Sequence, residues 1–311
     1  MKKKEQICVK TIMEQLCNIE HNISDVDFIK LKEKYHLIMA ILWIKEKYTM
    51  ILDNYSDFVL EMKEMQEKLS KAQEDEMVSV GKKAIVTFNR RLSNLLCSVR
   101  MYIDQTQHEL SSLGLEECTK DDFHGYTAEQ YDNSVCYQIM ELLRNYIQHQ
   151  GLVVDRISFI NPFFDNNKEE YIFLVIDIAY KRLRDIEKYE KKILLDNVLK
   201  DMNVDTFNLL WFIDEYVKGL EIVHKKLIEK LSKVILDAQL EIEQILKKVY
   251  SQIPSEIGVF GQEDEFLLQY NYVVHALSIP HISDCLEGKK YFKSSDRLKG
   301  NFRKDTIKYN M

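Results

Sequence analysis

Ile85-Val86-Thr87-Phe88-Asn89-Arg90-Arg91-Leu92-Ser93-Asn94-Leu95-Leu96-Cys97-Ser98-Val99-Arg100-Met101-Tyr102-Ile103 decides the fold class. Its apolar residues Ile85, Phe88, Leu92, Leu95, Leu96, Val99 and Ile103 return every three or four positions, which aligns them on one face of an α-helix. A half-buried strand would space them by two. The pattern extends from Met77 to about Leu113. A broader stripe precedes it, through Phe28, Leu31, Tyr35, Ile38, Leu42, Leu52, Val59 and Met62.

Composition points the same way. Gly (9) and Pro (3) are scarce among 311 residues, while 30% are charged and 46% hydrophobic. Few helix breakers with many Lys, Glu, Leu and Ile is the make-up of long helices. Beyond the loop Gly114–Gly125, a further helix is expected from about Thr127 to Gln150. Thr127 and Gln130 have capping-box spacing, and Gly151 suits the position after the last turn. Its buried face would carry Tyr131, Val135, Ile139, Leu142 and Tyr146.

The period then changes. Val153–Ile160 and Tyr171–Ile178 are rich in Val, Ile and Phe and flank Asn161-Pro162-Phe163-Phe164-Asp165-Asn166-Asn167, which reads as a β-hairpin and the chain's one convincing β-structure. Asp205 caps a long helical stretch from Thr206 to about Tyr250, stopped by Pro254. The expected fold is mainly α: a helical bundle of long antiparallel helices with one small β-hairpin insertion. Its parts are an N-terminal helical segment (1–76), core helices (77–152), the hairpin (153–180), the long C-terminal helix region (181–253) and a C-terminal segment with a basic tail (254–311), within one compact domain. Trp43 and Trp211 lie on apolar faces and are expected in the core.

A net charge of −7 argues against a protein that coats nucleic acid over its whole surface, but not against a local basic site. Eight Lys and Arg against two Asp give Lys289–Met311 about +6, with Tyr291, Phe292, Phe302 and Tyr309 interleaved. Such a segment tracks phosphates and stacks on bases, or else straps an acidic body. Lys299 and Arg303 are its candidate substrate-binding cations. The six Cys show no C-x-x-C or zinc spacing and read as free buried thiols of a reducing compartment. No apolar stretch approaches the ~20 residues of a membrane span, and no signal-type stretch follows Met1-Lys2-Lys3-Lys4-Glu5, so a cytoplasmic location without membrane attachment is expected. Phosphate-binding glycine loops, H-E-x-x-H and G-x-S-x-G are absent from the sequence. His108, His124, His224, His275 and His281 share no ligand spacing and read as surface or satisfied histidines.

One hexapeptide stands apart: Arg144-Asn145-Tyr146-Ile147-Gln148-His149. Five residues of helix rotate by roughly 140° and advance about 7.5 Å, so Arg144 and His149 flank an edge where one phosphate fits. Histidine titrates near neutrality and serves as base or acid to a ribose hydroxyl, while arginine stabilises charge on a phosphorane-like transition state. The bland alternative is a helix-end His favoured by the dipole and an Arg paired with Glu141.

Arg144-Asn145-x-x-x-His149 resembles the Arg-x(4–6)-His motif of the HEPN superfamily, in which Asn often follows the Arg. The resemblance covers the motif helix and is extended to the one before it. It implies a helical bundle that dimerises and a metal-independent ribonuclease of toxin–antitoxin or phage-defence type, with no cofactor. Arg144 and His149 would be the catalytic pair and Asn145 the accompanying polar residue. Partners would be RNA, a second copy, and an antitoxin or defence-complex component. The polar edge of the preceding helix, Asn89, Ser93, Asn94, Arg100 and Asp104, supplies Asn94 and Arg100 as candidate substrate contacts, with Asn89 closer to an ordinary helix-surface residue. The competing reading is a non-catalytic helical interaction or RNA-binding protein.

Overall fold

A computed structural model describes residues 8–11, 14, 21–116, 118–160, 173–179, 206–260 and 265–269. The fold is mainly α. Five helices are described: α1 (Asp25–Lys71), α2 (Glu74–Leu113), α3 (Lys120–Asn133), α4 (Val135–His149) and α5 (Leu209–Leu246). The strands are β1 (Cys8–Lys10), β2 (His21–Asn22), β3 (Val154–Ile160), β4 (Phe173–Ala179), β5 (Thr206–Asn208), β6 (Glu256–Phe260) and β7 (Glu265–Gln269). The chain forms two compact units. The first takes the described residues of Met1–Lys47, Asp104–Phe123 and Lys225–Ile279; the second takes those of Tyr48–Ile103, His124–His224 and Pro280–Met311.

Local chemistry sets the helix ends. Ser24 caps α1 by accepting from the Asp27 N–H (3.1 Å), with Asp25 and Asp27 in the first turn and Lys68 and Lys71 in the last, each matching the helix dipole. Only Ala72 and Gln73 separate α1 from α2, so the chain reverses at once. Gly114 follows α2 at φ 60°, the left-handed conformation that ends helices.

In the second unit, α1 runs antiparallel to α2: Phe58 meets Phe88 and Tyr48 meets Tyr102, so positions rise on one helix as they fall on the other. α5 pairs with α1 in the same sense, through Tyr55–Asp214 and the Tyr48–His224 stack. Leu92, Leu95, Val99, Phe212, Ile213, Val217 and Leu220 are fully buried there. In the first unit, Lys34–Glu241 and Asp27–Lys248 give α1 and α5 the same antiparallel sense, over Leu31, Ile41, Ile44, Leu231 and Ile235.

The expected hairpin is present, β3 pairing antiparallel with β4 from Val154↔Ile178 to Ile160↔Phe173. β5 extends it to three strands. It is not the chain's one β-structure. A second antiparallel sheet, in the order β2-β1-β6-β7, stands in the first unit. Cys8, Val9, Ile257, Val259 and Leu268 are buried in it, with Glu256 and Gly258 more open.

Other expectations are corrected. The helix from Thr127 to Gln150 is two helices, because Ser134 adopts an extended conformation and caps α4 through the Tyr137 N–H (3.2 Å). Thr127 lies inside α3 with its hydroxyl donating to the His124 carbonyl, while the capping box belongs to Thr119 and Asp122, each accepting the other's N–H. Tyr131 and Val135 are exposed, whereas Ile139, Leu142 and Tyr146 are buried as expected. Trp43 is 50% exposed, since Ile41, Ile44 and Tyr48 take the inward face and turn it outward. Thr206–Asn208 is strand rather than helix because it pairs with β4.

Among the described cysteines, Cys8, Cys118 and Cys136 are buried thiols, but Cys97 is exposed. Burial pushes the Cys118 thiol up to about 11 and that of Cys136 to about 12, so both stay protonated and poorly nucleophilic. Asn89 is not a surface residue either. It is buried, its Oδ1 accepts from the Val153 and Val154 N–H groups (3.0 Å each), and its Nδ2 donates to the Val154 and Ile85 carbonyls. It clamps the start of β3 to α2. Asn89→Leu keeps similar volume but strands two amides and a carbonyl. It is expected to cost about 2–4 kcal/mol, read as a lower urea midpoint at unchanged slope.

Glu14 is the hub of a cluster in the first unit. Its Oε2 accepts from the Thr11 N–H (2.7 Å) and the Tyr250 hydroxyl (3.0 Å), and its Oε1 lies 3.0 Å from His21 Nε2. Burial works to raise this carboxyl, but the bonds from Thr11, His21 and Tyr250 outweigh it and bring it from 4.5 down to about 2. A carboxyl depressed by folding contributes its full stability above its unfolded value and loses it as pH falls through the folded one. Acid titration between 4.5 and about 2 therefore weakens this unit. Thermal unfolding of Glu14→Gln is expected to differ from the parent at neutral pH and to converge with it towards pH 2. A constant difference over that range contradicts this.

Candidate functional site

The motif occupies the last two turns of α4. This helix is held at its start by the Ser134 cap and at its end by the Tyr146 carbonyl, which accepts from both Gln150 N–H (2.8 Å) and Gly151 N–H (3.2 Å). Gly151 has φ 153°, in keeping with its place just past the helix. Cys136, Tyr137, Ile139, Met140, Leu142, Leu143 and Tyr146 form the buried face. That leaves Arg144 and Asn145 half-buried on its flank and His149, the last helical residue, exposed.

Arg144 is held on both sides. Its Nε donates to Glu141 Oε2 (3.1 Å) and its Nη1 to Gln148 Oε1 (3.3 Å). The side chains of Arg144 and Glu141 are only 17% and 18% exposed, so this pair is better shielded than an ordinary surface i,i+3 bridge. Glu141 is itself anchored from below, its Oε1 accepting the Tyr216 hydroxyl at 2.6 Å. Tyr216 is fully buried on α5. Burial, reinforced by the Glu141 carboxylate, holds its hydroxyl far above the usual phenol range, so it remains a donor. Tyr137 packs edge-on against the Tyr216 ring, at 4.7 Å between centroids. A Cβ at Gly219 would make ordinary contact with the Tyr137 ring at 3.4 Å and a tighter one with Gln130 Oε1 at 3.2 Å.

The bonds of Arg144 leave Nη2 with two N–H donors that no described residue takes. His149 stands on the last turn with its side chain exposed. Together the two supply a fixed planar cation and a titratable imidazole on one helix end.

Asn94 and Arg100 are exposed on α2, in the same compact unit as the motif. Lys299 and Arg303 lie outside the described residues. Among the described residues, no group of three or more His, Cys, Asp and Glu is gathered as metal ligands. No described helix is long and apolar enough to cross a membrane.

Sequence reading reached Glu141, one turn before Arg144, but not Tyr216. No local spacing announces a contact made 75 residues away. It also missed the nearby polar core, where Tyr55 donates to Asp214 at 2.7 Å and the Tyr102 hydroxyl meets His224 Nδ1 at 3.0 Å. His224 is entirely buried and stacked on Tyr48 at 4.0 Å.

The sequence matches no protein family model, and neither a curated protein nor a solved structure is significantly similar to it.

The two motif residues should separate in stability before any activity is measured. His149→Ala is expected to change unfolding free energy by less than about 0.5 kcal/mol, since the ring is exposed. Arg144→Ala leaves a shielded carboxylate with one partner fewer and is expected to cost about 1 kcal/mol. Denaturant titration of both variants checks this.

Proposed function

We propose that this chain is a metal-independent endoribonuclease of the HEPN type, with Arg144 and His149 as its catalytic pair and Asn145 beside them. The observation that carries the reading is the placing of the motif. Arg144 is oriented by Glu141 and Gln148 with Nη2 donors to spare, and His149 lies open on the following turn.

In this reading a phosphodiester of single-stranded or looped RNA docks against Arg144. The His149 imidazole takes the ribose 2′-hydroxyl proton as O2′ attacks phosphorus. The P–O5′ bond breaks, and the departing oxygen is protonated by a second acid, for which His149 of a second copy is the natural candidate. The products are a 2′,3′-cyclic phosphate and a 5′-hydroxyl. Arg144 stabilises the extra charge on the phosphoryl oxygens as it develops. A toxin or phage-defence role, with an antitoxin or complex partner, fits such an activity.

A second reading has one observation in its favour. The Arg144 guanidinium is already engaged within its own helix, as expected of a residue that only stabilises α4. The protein would then be a non-catalytic helical interaction module.

One assay separates them. Purified protein in EDTA is expected to cleave RNA to cyclic-phosphate ends, and Arg144→Ala and His149→Ala each to lose at least about 100-fold in rate. Full cleavage by both variants, or no cleavage by the parent protein, gives the case to the interaction module.

A further inference from the structure

The carboxylate of Glu141 is divided between two elements. One oxygen faces α5 and takes the Tyr216 hydroxyl at 2.6 Å; the other faces along α4 and takes Arg144 Nε at 3.1 Å. An i,i+3 pair on an open helix surface is loose, because both side chains sample several rotamers and water competes for each charge. Here both oxygens of the carboxylate are engaged. Its inner oxygen is fixed by a donor that is itself immobile, Tyr216 being wholly buried and packed against Tyr137. The restriction passes outward to the guanidinium, which Gln148 meets from the other side at 3.3 Å.

We infer that Tyr216 and Glu141 are positioning residues that orient Arg144 towards a phosphate through a core-anchored hydrogen-bond relay. The inference rests on the ribonuclease reading for its consequence in catalysis, but not for the orientation itself. A guanidinium held in place before substrate arrives spends less of the binding free energy on ordering, and its donors already point where charge will develop. Removing the Tyr216 hydroxyl frees the carboxylate to turn, and the guanidinium with it, while every charge at the surface stays in place. The expected consequence is a lower turnover with little change in substrate binding, since Arg144 keeps its charge and loses only its direction.

Tyr55 provides a matched control. It donates to a carboxylate, Asp214, at 2.7 Å from a buried position in the same compact unit, but Arg144 bonds to Glu141 and Gln148 and not to Asp214. Tyr55→Phe and Tyr216→Phe therefore each remove a hydroxyl–carboxylate bond donated by a buried tyrosine, and a purely structural effect appears in both.

The experiment compares Tyr216→Phe, Glu141→Gln and Tyr55→Phe with the parent chain by two measurements. The first is hydrogen exchange of the Arg144 Nε–H, observed by arginine side-chain NMR without any ligand. Tyr216→Phe and Glu141→Gln are expected to speed it by about tenfold, the factor corresponding to loss of one ordinary hydrogen bond, while Tyr55→Phe leaves it unchanged. The second is cleavage of a short mixed-sequence RNA in EDTA, where Tyr216→Phe is expected to lower kcat by about tenfold at nearly constant KM. Unchanged Nε–H exchange in Tyr216→Phe, or an equal change in Tyr55→Phe, overturns the relay. If the parent chain cleaves no RNA, the ribonuclease reading fails by itself, and the exchange measurement still decides whether Tyr216 orients Arg144.

Discussion

Helices of 47, 40 and 38 residues dominate the described chain, and each carries a continuous apolar stripe that water will not tolerate uncovered. Covering those stripes is the constraint from which the rest follows. α1 is the element that α2 and α5 both answer, in each compact unit taken separately, with Tyr48, Ile51, Tyr55 and Phe58 buried in one and Leu31, Ile41 and Ile44 in the other. A two-residue connection forces α2 back along α1, so the antiparallel pairing is dictated by the chain as well as by burial. The small sheets are secondary: the start of β3 is tied to α2 through Asn89.

Apolar contact alone would leave the helices free to slide, since a stripe displaced by one turn, about 5.4 Å, still meets apolar side chains. The buried polar pairs of the second unit remove that freedom. Tyr55 must face Asp214, and Tyr102 must face His224, because a displaced register would leave a carboxylate or an imidazole in the core without its bond. Tyr216 and Glu141 follow the same rule at the edge of the core, where the outer half of the carboxylate is turned to Arg144. Packing specificity and the geometry of the candidate site thus share one set of residues.

Helix was legible in the sequence wherever periodicity was long, as along Ile85–Ile103, and the hairpin was legible because two β-rich runs flank a Pro/Asn turn. What escaped was decided by distant parts of the chain. Val9 and Val259 pair across about 250 positions, a contact that no local pattern announces, although β6 also pairs locally with β7. Ser134 and Thr127 offer similar capping chemistry, and only the extended backbone at Ser134 makes it the cap. Asn89 read as a polar surface position because its partners are backbone groups of Val153 and Val154, to which sequence patterns are blind. For the site, Arg144, Glu141 and His149 were visible as helix spacings. The anchor beneath them, Tyr216, was not, because an aromatic on an apolar stripe looks the same whether or not its hydroxyl holds a carboxylate.

The functional account joins a fixed cation to an exposed imidazole and assigns both to one RNA phosphate. That is a statement about where a phosphate sits, so the most direct measurement is an experimental structure of the His149→Ala chain with a short RNA blocked by 2′-deoxy substitution. The account predicts a phosphate oxygen within hydrogen-bond distance of Arg144 Nη2, with a ribose 2′ position facing residue 149. RNA bound with no phosphate at Arg144, or no bound RNA in the presence of an intact Arg144–Glu141–Tyr216 relay, contradicts it.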